Sequence, residues 1–265
     1  MRFIQYELLR GSIRLLRNWR EMFLYGVLLR KLGMRVRPTA VLRFRSGLEI
    51  EMVPGGYGGY TILFQDIFIR RDYQPTPEFV VRDGWTVLDI GANMGFFTCQ
   101  AASSAKDVRV VAVEPMGPYI KVLRANIKRN HFQQVTVIQA AAAPRSGSKI
   151  PLTVWYTKFG ELKVGTRLGN GRQSTEIVTG LSMADIFEKG QIQVCNLLKV
   201  DIEGAEYELF EATASHVWER IDRVVMETHE LHGRRASELV QLLMQYGFSV
   251  STRGSLLWAT RSLAV

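Results

Sequence analysis

Cysteine is scarce in this 265-residue chain: Cys99 and Cys195 are the only two, one inside a helix-like run and one just before an apolar strand. Both read as small core residues of a reducing compartment, and a disulfide scaffold is excluded. Long apolar runs are missing too. In the N-terminal region the longest, Met22 to Leu29, is interrupted by Gly26, and it falls far short of the ~18 residues of a membrane-spanning helix. Arg10, Arg14, Arg17 and Arg20 break what would have to be the apolar centre of a secretory signal, so a cytoplasmic protein is expected. Beyond residue 45 the chain also lacks a charge excess. Residues 1–45 carry ten arginines and Lys31 against Glu7 and Glu21, which accounts for the whole formal net charge of +9. The neutral remainder does not supply the clustered basic surface of a nucleic-acid groove, so no nucleic-acid partner is expected.

What is present is enough apolar material, 47% of residues against 22% charged, for one large domain with an appendage. The appendage is a basic helical arm at residues 1–38. On a helical wheel Ile4, Leu8, Leu15, Trp19, Met22 and Phe23 fall on one side, with Arg10, Arg14 and Arg17 opposite. Such a helix can pack its apolar stripe on the main domain or on a second subunit, or lie peripherally on an anionic membrane surface, the inner face in a cytoplasmic protein. Residues 39–84 form a lead-in. Ala40–Arg45 and Leu48–Val53 alternate around a Ser46-Gly47 turn, which predicts a hairpin. Pro54–Gly59 reads as a loop, and residues 61–82 as helical around a break at Pro75 and Pro77.

From residue 85 to the end, apolar strands alternate with amphipathic helices, the pattern of a parallel sheet covered on both faces. Strands are expected at Thr86–Ile90, Val108–Val113, Val135–Ala140, Asn196–Asp201, Arg223–Glu227, Phe248–Thr252 and Leu256–Thr260, with helices near 95–104, 117–130, 182–189, 204–213 and 235–246. The tight Arg253-Gly254 connection makes the last two strands an antiparallel pair. The expected fold class is therefore α/β: a Rossmann-like, mostly parallel sheet with an antiparallel terminal hairpin, resembling the class I methyltransferase sheet. Residues 144–180, with Gly147, Gly160, Gly165, Gly169 and Gly171 and with Trp155, Tyr156 and Phe159, interrupt the rhythm as an insertion, either a lid over a substrate or a hairpin covering the sheet edge.

The strongest motif is Val87-Leu-Asp-Ile-Gly-Ala-Asn-Met-Gly-Phe-Phe-Thr98, a buried strand running through glycines into a helix. Ligands of such sheets sit past the carboxyl ends of the strands, where Gly91 and Gly95 let the backbone come close. Asn93 stands where a nicotinamide fingerprint has its second glycine. Asp89 would repel a pyrophosphate but suits the cationic amine of S-adenosylmethionine, directly or through water. Twenty-five residues on, Val110-Val-Ala-Val-Glu-Pro115 ends the second strand on Glu114, placed to accept hydrogen bonds from both ribose hydroxyls. The candidate cofactor residues are thus Asp89, Gly91, Asn93, Gly95, Thr98, Glu114, Pro115 and, after the third strand, Gln139 for the adenine edge.

VLDIGANMGFFT, AVEP and LLKVDIEGAEYELF resemble the FkbM family of S-adenosylmethionine-dependent methyltransferases, over roughly Leu42 to Thr260. The resemblance implies O-methylation of a hydroxyl on a polyketide, sugar, glycolipid or other cell-surface glycan. Where many class I enzymes place an acidic or polar residue beside the adenine, this chain has Gln139-Ala-Ala-Ala-Ala143.

Methyl transfer to such a hydroxyl requires orientation of the acceptor and removal of one proton. The candidates come from the next two strand ends: Asp201, Glu203 and His229. His229 is the simplest base, with an ordinary pKa near neutrality, or else a histidine satisfied by a neighbouring carboxylate. Asp201 can orient the methionine end or the acceptor, and Glu203 can support the Gly204 turn. Glu206 and Glu208 read as solvated helix residues. A magnesium ion on Asp201, Glu227 and His229 is the other route to an acidified hydroxyl. Two further readings stay open: N-methylation of an amino sugar or protein, against which stands Asp201-Ile-Glu-Gly204 in place of an Asn/Asp-Pro-Pro-Tyr motif, and a non-catalytic, membrane-recruited binding module.

Overall fold

The computed structural model describes residues 2–20, 41–52, 63–156, 162–165, 173–231 and 233–261. Its centre is a seven-stranded sheet. In chain order the strands are β3 (Thr86–Ile90), β4 (Arg109–Val113), β5 (Val135–Ile138), β10 (Leu197–Val200), β11 (Arg223–Glu227), β12 (Phe248–Arg253) and β13 (Leu256–Arg261). In space the order is β12-β13-β11-β10-β3-β4-β5. Every pairing is parallel except those of β13, which runs antiparallel to both β11 and β12. This is the expected Rossmann-like, mostly parallel sheet with an antiparallel terminal hairpin, and its order reverses at β3, between β4 and β10. At such a switch the flanking connections leave in opposite directions and open a crevice beyond the strand ends.

Each strand divides its side chains between two covered faces, as a period of two requires. Leu88, Ile90, Val111, Val113, Leu198, Val200, Val224 and Met226 point into a core closed by Phe187, Phe210 and Trp218. Helices α4 (Met183–Lys189), α5 (Glu206–Glu211), α6 (Ser215–Trp218) and α7 (Ala236–Gln245) lie on that side. Within it Phe210 and Trp218 meet edge to face at 4.9 Å, a geometry that adds about 0.5–1.5 kcal/mol to the burial itself. Val87, Val110, Leu197, Val225 and Trp258 face the other way, toward helix α2 (Phe96–Ser104) and the N-terminal segments. The expected strands and helices lie within one or two residues of these elements, and α6 is an additional short helix between two of them.

The N-terminal segments are tied to the sheet by specific pairings. The predicted hairpin is β1 (Val41–Arg43) against β2 (Glu49–Glu51). Helix α3 (Gly117–Arg129) and its C-cap supply Asn126 and Asn130, whose amides each exchange two hydrogen bonds with the backbone of Glu51 and Glu49. Four helical residues rise about 6 Å and two extended residues about 6.6 Å, so asparagines at i and i+4 can stand in for a third strand. Helix α1 (Arg2–Leu15) is followed by Leu16, which is buried and bridges to Phe44. Leu15 and Trp19 join the same core, and Gly11 sits against the Ile69 side chain. Arg10 and Arg14 face outward. Met22, Phe23 and the Pro54–Gly59 loop lie outside the described residues. In the 61–82 lead-in, a π-helical turn at Gln65–Ile69 and a 3-10 turn at Pro77–Phe79 replace a continuous helix.

The 144–180 insertion contains β7 (Lys149–Tyr156), β8 (Leu162–Gly165) and β9 (Gln173–Leu181). With β6 (Ala141–Ala142) they form a separate sheet in the order β6-β9-β7-β8. The side chains of Trp155 and Tyr156, and all of Phe159, fall outside the described residues.

Candidate active site

The carboxyl ends of β3, β4, β10 and β11 bring Asp89, Glu114, Asp201 and Glu227 to one edge of the sheet. On the β4 side, Glu114 is buried, and its two oxygens accept the backbone N–H groups of Asn93 and Met116, each at 2.9 Å. A carboxylate oxygen accepts more than one hydrogen bond, so both oxygens retain acceptor capacity. Burial pushes the Glu114 carboxyl up to about 7, partly offset by those two N–H donors. Asn93 adopts a left-handed φ of 51°, and its side-chain oxygen accepts from Met94 N–H. The intervening Pro115 has no N–H to offer. Gln139 is exposed beyond β5, with its amide nitrogen over Gly117 at the start of α3.

At β3 the structure departs from the sequence expectation. Asp89 is fully buried: Thr98 donates its hydroxyl at 2.6 Å, and the Lys199 ammonium lies 3.2 Å away. Thr98 is itself buried. Lys199 pairs with Asp89 in register across β10 and β3 and donates to the Gly91 carbonyl at 2.8 Å. Asp89 therefore already has a cation. The two glycines also serve the protein's own packing. A Cβ on Gly91 would stand 1.8 Å from the Asp201 carbonyl oxygen, and one on Gly95 2.4 Å from a Leu123 methyl group. With φ of 78° and 86°, both positions also favour glycine conformationally.

On the β10 side, Asp201, Glu203 and His229 do converge. His229 Nε2 lies 4.0 Å from Asp201 and 3.7 Å from Glu203, whose side chain is 65% exposed. The other ring nitrogen, Nδ1, donates to Glu206 at 2.8 Å. Glu206 is fully buried and also accepts the Ile202 and Gly204 N–H groups, both at 3.2 Å. This corrects two expectations. Glu206 is not solvated, and it does for the Gly204 turn what Glu203 was expected to do. Glu203 holds a left-handed φ of 56° in that turn instead. Burial opposes a charge on His229, but the Glu206 bond and the charges of Glu206, Asp201 and Glu203 outweigh it and raise the imidazole to about 9. At neutral pH it is a cation and not a ready base.

Residues missed in the sequence complete this half. Tyr73, in the segment after the π-helical turn, donates its hydroxyl to Asp201 at 3.2 Å and lays its ring 5.4 Å from the Lys199 ammonium. Asp72 beside it accepts Trp258 Nε1 on its carbonyl at 2.8 Å and Arg253 on its carboxylate at 3.2 Å. Asp66 ion-pairs with Arg70, yet burial and the charges of Asp72, Glu227 and Asp201 raise it to about 6. Burial and Asp201 also raise Glu227. A lysine inside the apolar run Leu197-Leu-Lys-Val200 was a legible signal; nothing local marked Tyr73 or Asp66. Ligand atoms of Asp201, Glu227 and His229 all lie within 4.8 Å of one another.

Comparison with known proteins bears on this geometry. Residues 89–250, more than half of the chain, match the methyltransferase FkbM domain. The chain is 29% identical over 235 residues to 31-O-demethyl-FK506 methyltransferase FkbM of Streptomyces tacrolimicus, covering 79% of this chain and 88% of that protein. It is 27% identical over 252 residues to the AMB antimetabolite synthetase AmbE of Pseudomonas aeruginosa, covering 78% of this chain but 12% of that much longer protein. Among solved structures, methyltransferase FkbM from Methylobacillus flagellatus KT aligns with a TM-score of 0.46 at 14% identity, covering 75% of this chain and 53% of that one. On its domain match, this chain belongs to the FkbM methyltransferase domain family.

Proposed function

We propose that this protein transfers a methyl group from S-adenosylmethionine to a hydroxyl of a polyketide-like metabolite, glycan or glycolipid. The observation that carries the donor half is Glu114, a carboxylate anchored by two backbone N–H groups at the strand switch with acceptor capacity to spare for a ribose diol. In this reading Glu114 holds the ribose, Gln139 lies by the adenine, and the Gly91–Gly95 turn, with Asn93 and Pro115, shapes the floor. Thr98 supports Asp89 from beneath. When bound, S-adenosylmethionine supplies an activated methyl group, so the protein's task is to orient the acceptor and accept its proton.

Asp201 is the proton acceptor in this reading. The hydroxyl becomes strongly acidic as its oxygen takes on the new bond, so a carboxylate suffices to take the proton from that oxygen as the methyl group transfers. His229 contributes as an imidazolium held by Glu206, beside Asp201 and Glu203. The hydroxyl class is supported by the name of the Streptomyces tacrolimicus relative, 31-O-demethyl-FK506 methyltransferase.

The test is calorimetry with S-adenosylmethionine, which wild-type protein should bind and Glu114→Ala should not; Asp89→Ala should also lose binding. Wild-type affinity in both variants would sink the donor assignment. Transfer of labelled methyl groups to 31-O-demethyl-FK506 and to a glycolipid extract then reads the acceptor, and label on nitrogen would overturn the hydroxyl. A chelator arm tests magnesium at Asp201, Glu227 and His229, whose ligand atoms are grouped closely enough for one ion. Loss of transfer that magnesium restores would move acceptor activation from Asp201 to the ion.

A further inference from the structure

Lys199 is a lysine in the middle of a buried strand, and such residues are rare unless paired. Its surroundings are complete. Asp89 lies 3.2 Å away, the Gly91 carbonyl 2.8 Å, and the Tyr73 ring closes over it with its centroid at 5.4 Å. Asp89 in turn receives the Thr98 hydroxyl. A buried ion pair is a poor device for stability, because desolvation of both charges offsets most of their attraction and apolar replacements are often as stable. Its value lies in orientation. The pair is anchored at the place where the chain leaves β3, and the Gly91 turn it grips is the one that touches the Asp201 backbone.

The strand order separates two parts of the crevice. Glu114 ends β4 on one side of β3, and Asp201 follows β10 on the other. A nucleoside held by Glu114 would leave the end of β3 and the Gly91 turn as the protein surface next to it on the side toward β10. Resting on the donor reading given above, we propose that Lys199 is a positioning residue for the amino-acid end of the donor, setting the Gly91 turn and the Asp89 carboxylate while Glu114 sets the nucleoside end independently.

The proposal separates two ligands. S-adenosylhomocysteine carries both ends; 5′-methylthioadenosine carries the nucleoside and no amino acid. In calorimetry on the full chain, Lys199→Met is expected to weaken S-adenosylhomocysteine about tenfold or more while 5′-methylthioadenosine stays within about threefold. Glu114→Gln should weaken both. Because Lys199→Met leaves Asp89 buried without its cation, the double variant Asp89→Asn with Lys199→Met removes both charges and is expected to give the same selective loss. A proportional loss of both ligands, or no loss of either, would overturn the proposal. So would failure of the double variant to fold, which would place the pair's role in folding. Wild-type protein that binds neither ligand would instead remove the donor reading beneath it.

Discussion

In the proposed function the crevice has a donor half and an acceptor half, and the two are built differently. On the donor side Asp89, Lys199, Thr98 and Glu114 are buried, and their partners are one another, backbone groups of the turns after β3 and β4, and the Tyr73 ring over Lys199. On the acceptor side Asp201, Glu203, Glu227 and His229 are partly or largely exposed and depend on residues brought from elsewhere: Tyr73 from before the sheet and Glu206 from α5. The donor side suits a ligand of one shape. The acceptor side is a collection of carboxylates around one imidazolium, whose ionisation is negotiated among neighbours, so it is where electrostatics can be altered without dismantling the fold.

The joint between the halves should be the most sensitive point. Gly91→Ala places a Cβ on the Asp201 carbonyl at a positive φ and is expected to cost about 3 kcal/mol or more in urea denaturation; a loss below ~1 kcal/mol would mean the halves separate freely. Next, Glu114→Gln should weaken S-adenosylhomocysteine roughly 10- to 100-fold, the scale of a charged hydrogen bond. If the ribose donates to ionised Glu114, wild-type affinity should rise as pH climbs through about 7 and then level off, while the Gln variant stays flat. An unchanged wild-type profile would show that the ribose does not use this carboxylate.

Acceptor-side changes should leave donor binding alone. Glu206→Gln is expected to cost about 1–3 kcal/mol, since it weakens a hub of three donors. Its pH signature is directional. The His229 pKa is raised from 6.5 to about 9, so the stability it contributes is complete below about 6.5 and is lost as pH rises toward 9. The variant should flatten that decline. A tenfold change in S-adenosylhomocysteine affinity would break the separation of the two sides. The smallest effect is expected for Tyr73→Phe, about 1 kcal/mol for one hydrogen bond, seen as roughly fivefold slower methyl transfer with donor affinity unchanged. An equal loss in donor binding would assign Tyr73 to the other half.

Donor-side positions were readable because their logic is short-range: a strand, a glycine turn and a helix start lie within Val87–Thr98, and Glu114 closes the next strand. Even there the reading of Asp89 as a free carboxylate missed Lys199, a strand neighbour 110 positions away that only sheet order places beside it. The acceptor side was readable as residue types and not as roles. His229 and Asp201 were found, but whether that imidazole is a base or a cation depends on Glu206, whose helical spacing looked like that of any solvated residue.

The sequence by itself determined the alternation of strands and helices, the antiparallel end of the sheet, the neutral main domain and the crevice at the end of β3, because periodicity, turn chemistry and charge are local properties. Tertiary structure alone decided which charged and polar groups meet. It gave Asp89 to Lys199, Asp201 to Tyr73 and His229 to Glu206, and with those pairings it decided which carboxylates are already neutralised and which remain for a ligand. Coulomb energy and desolvation depend on distance and burial, and neither can be read from spacing along the chain.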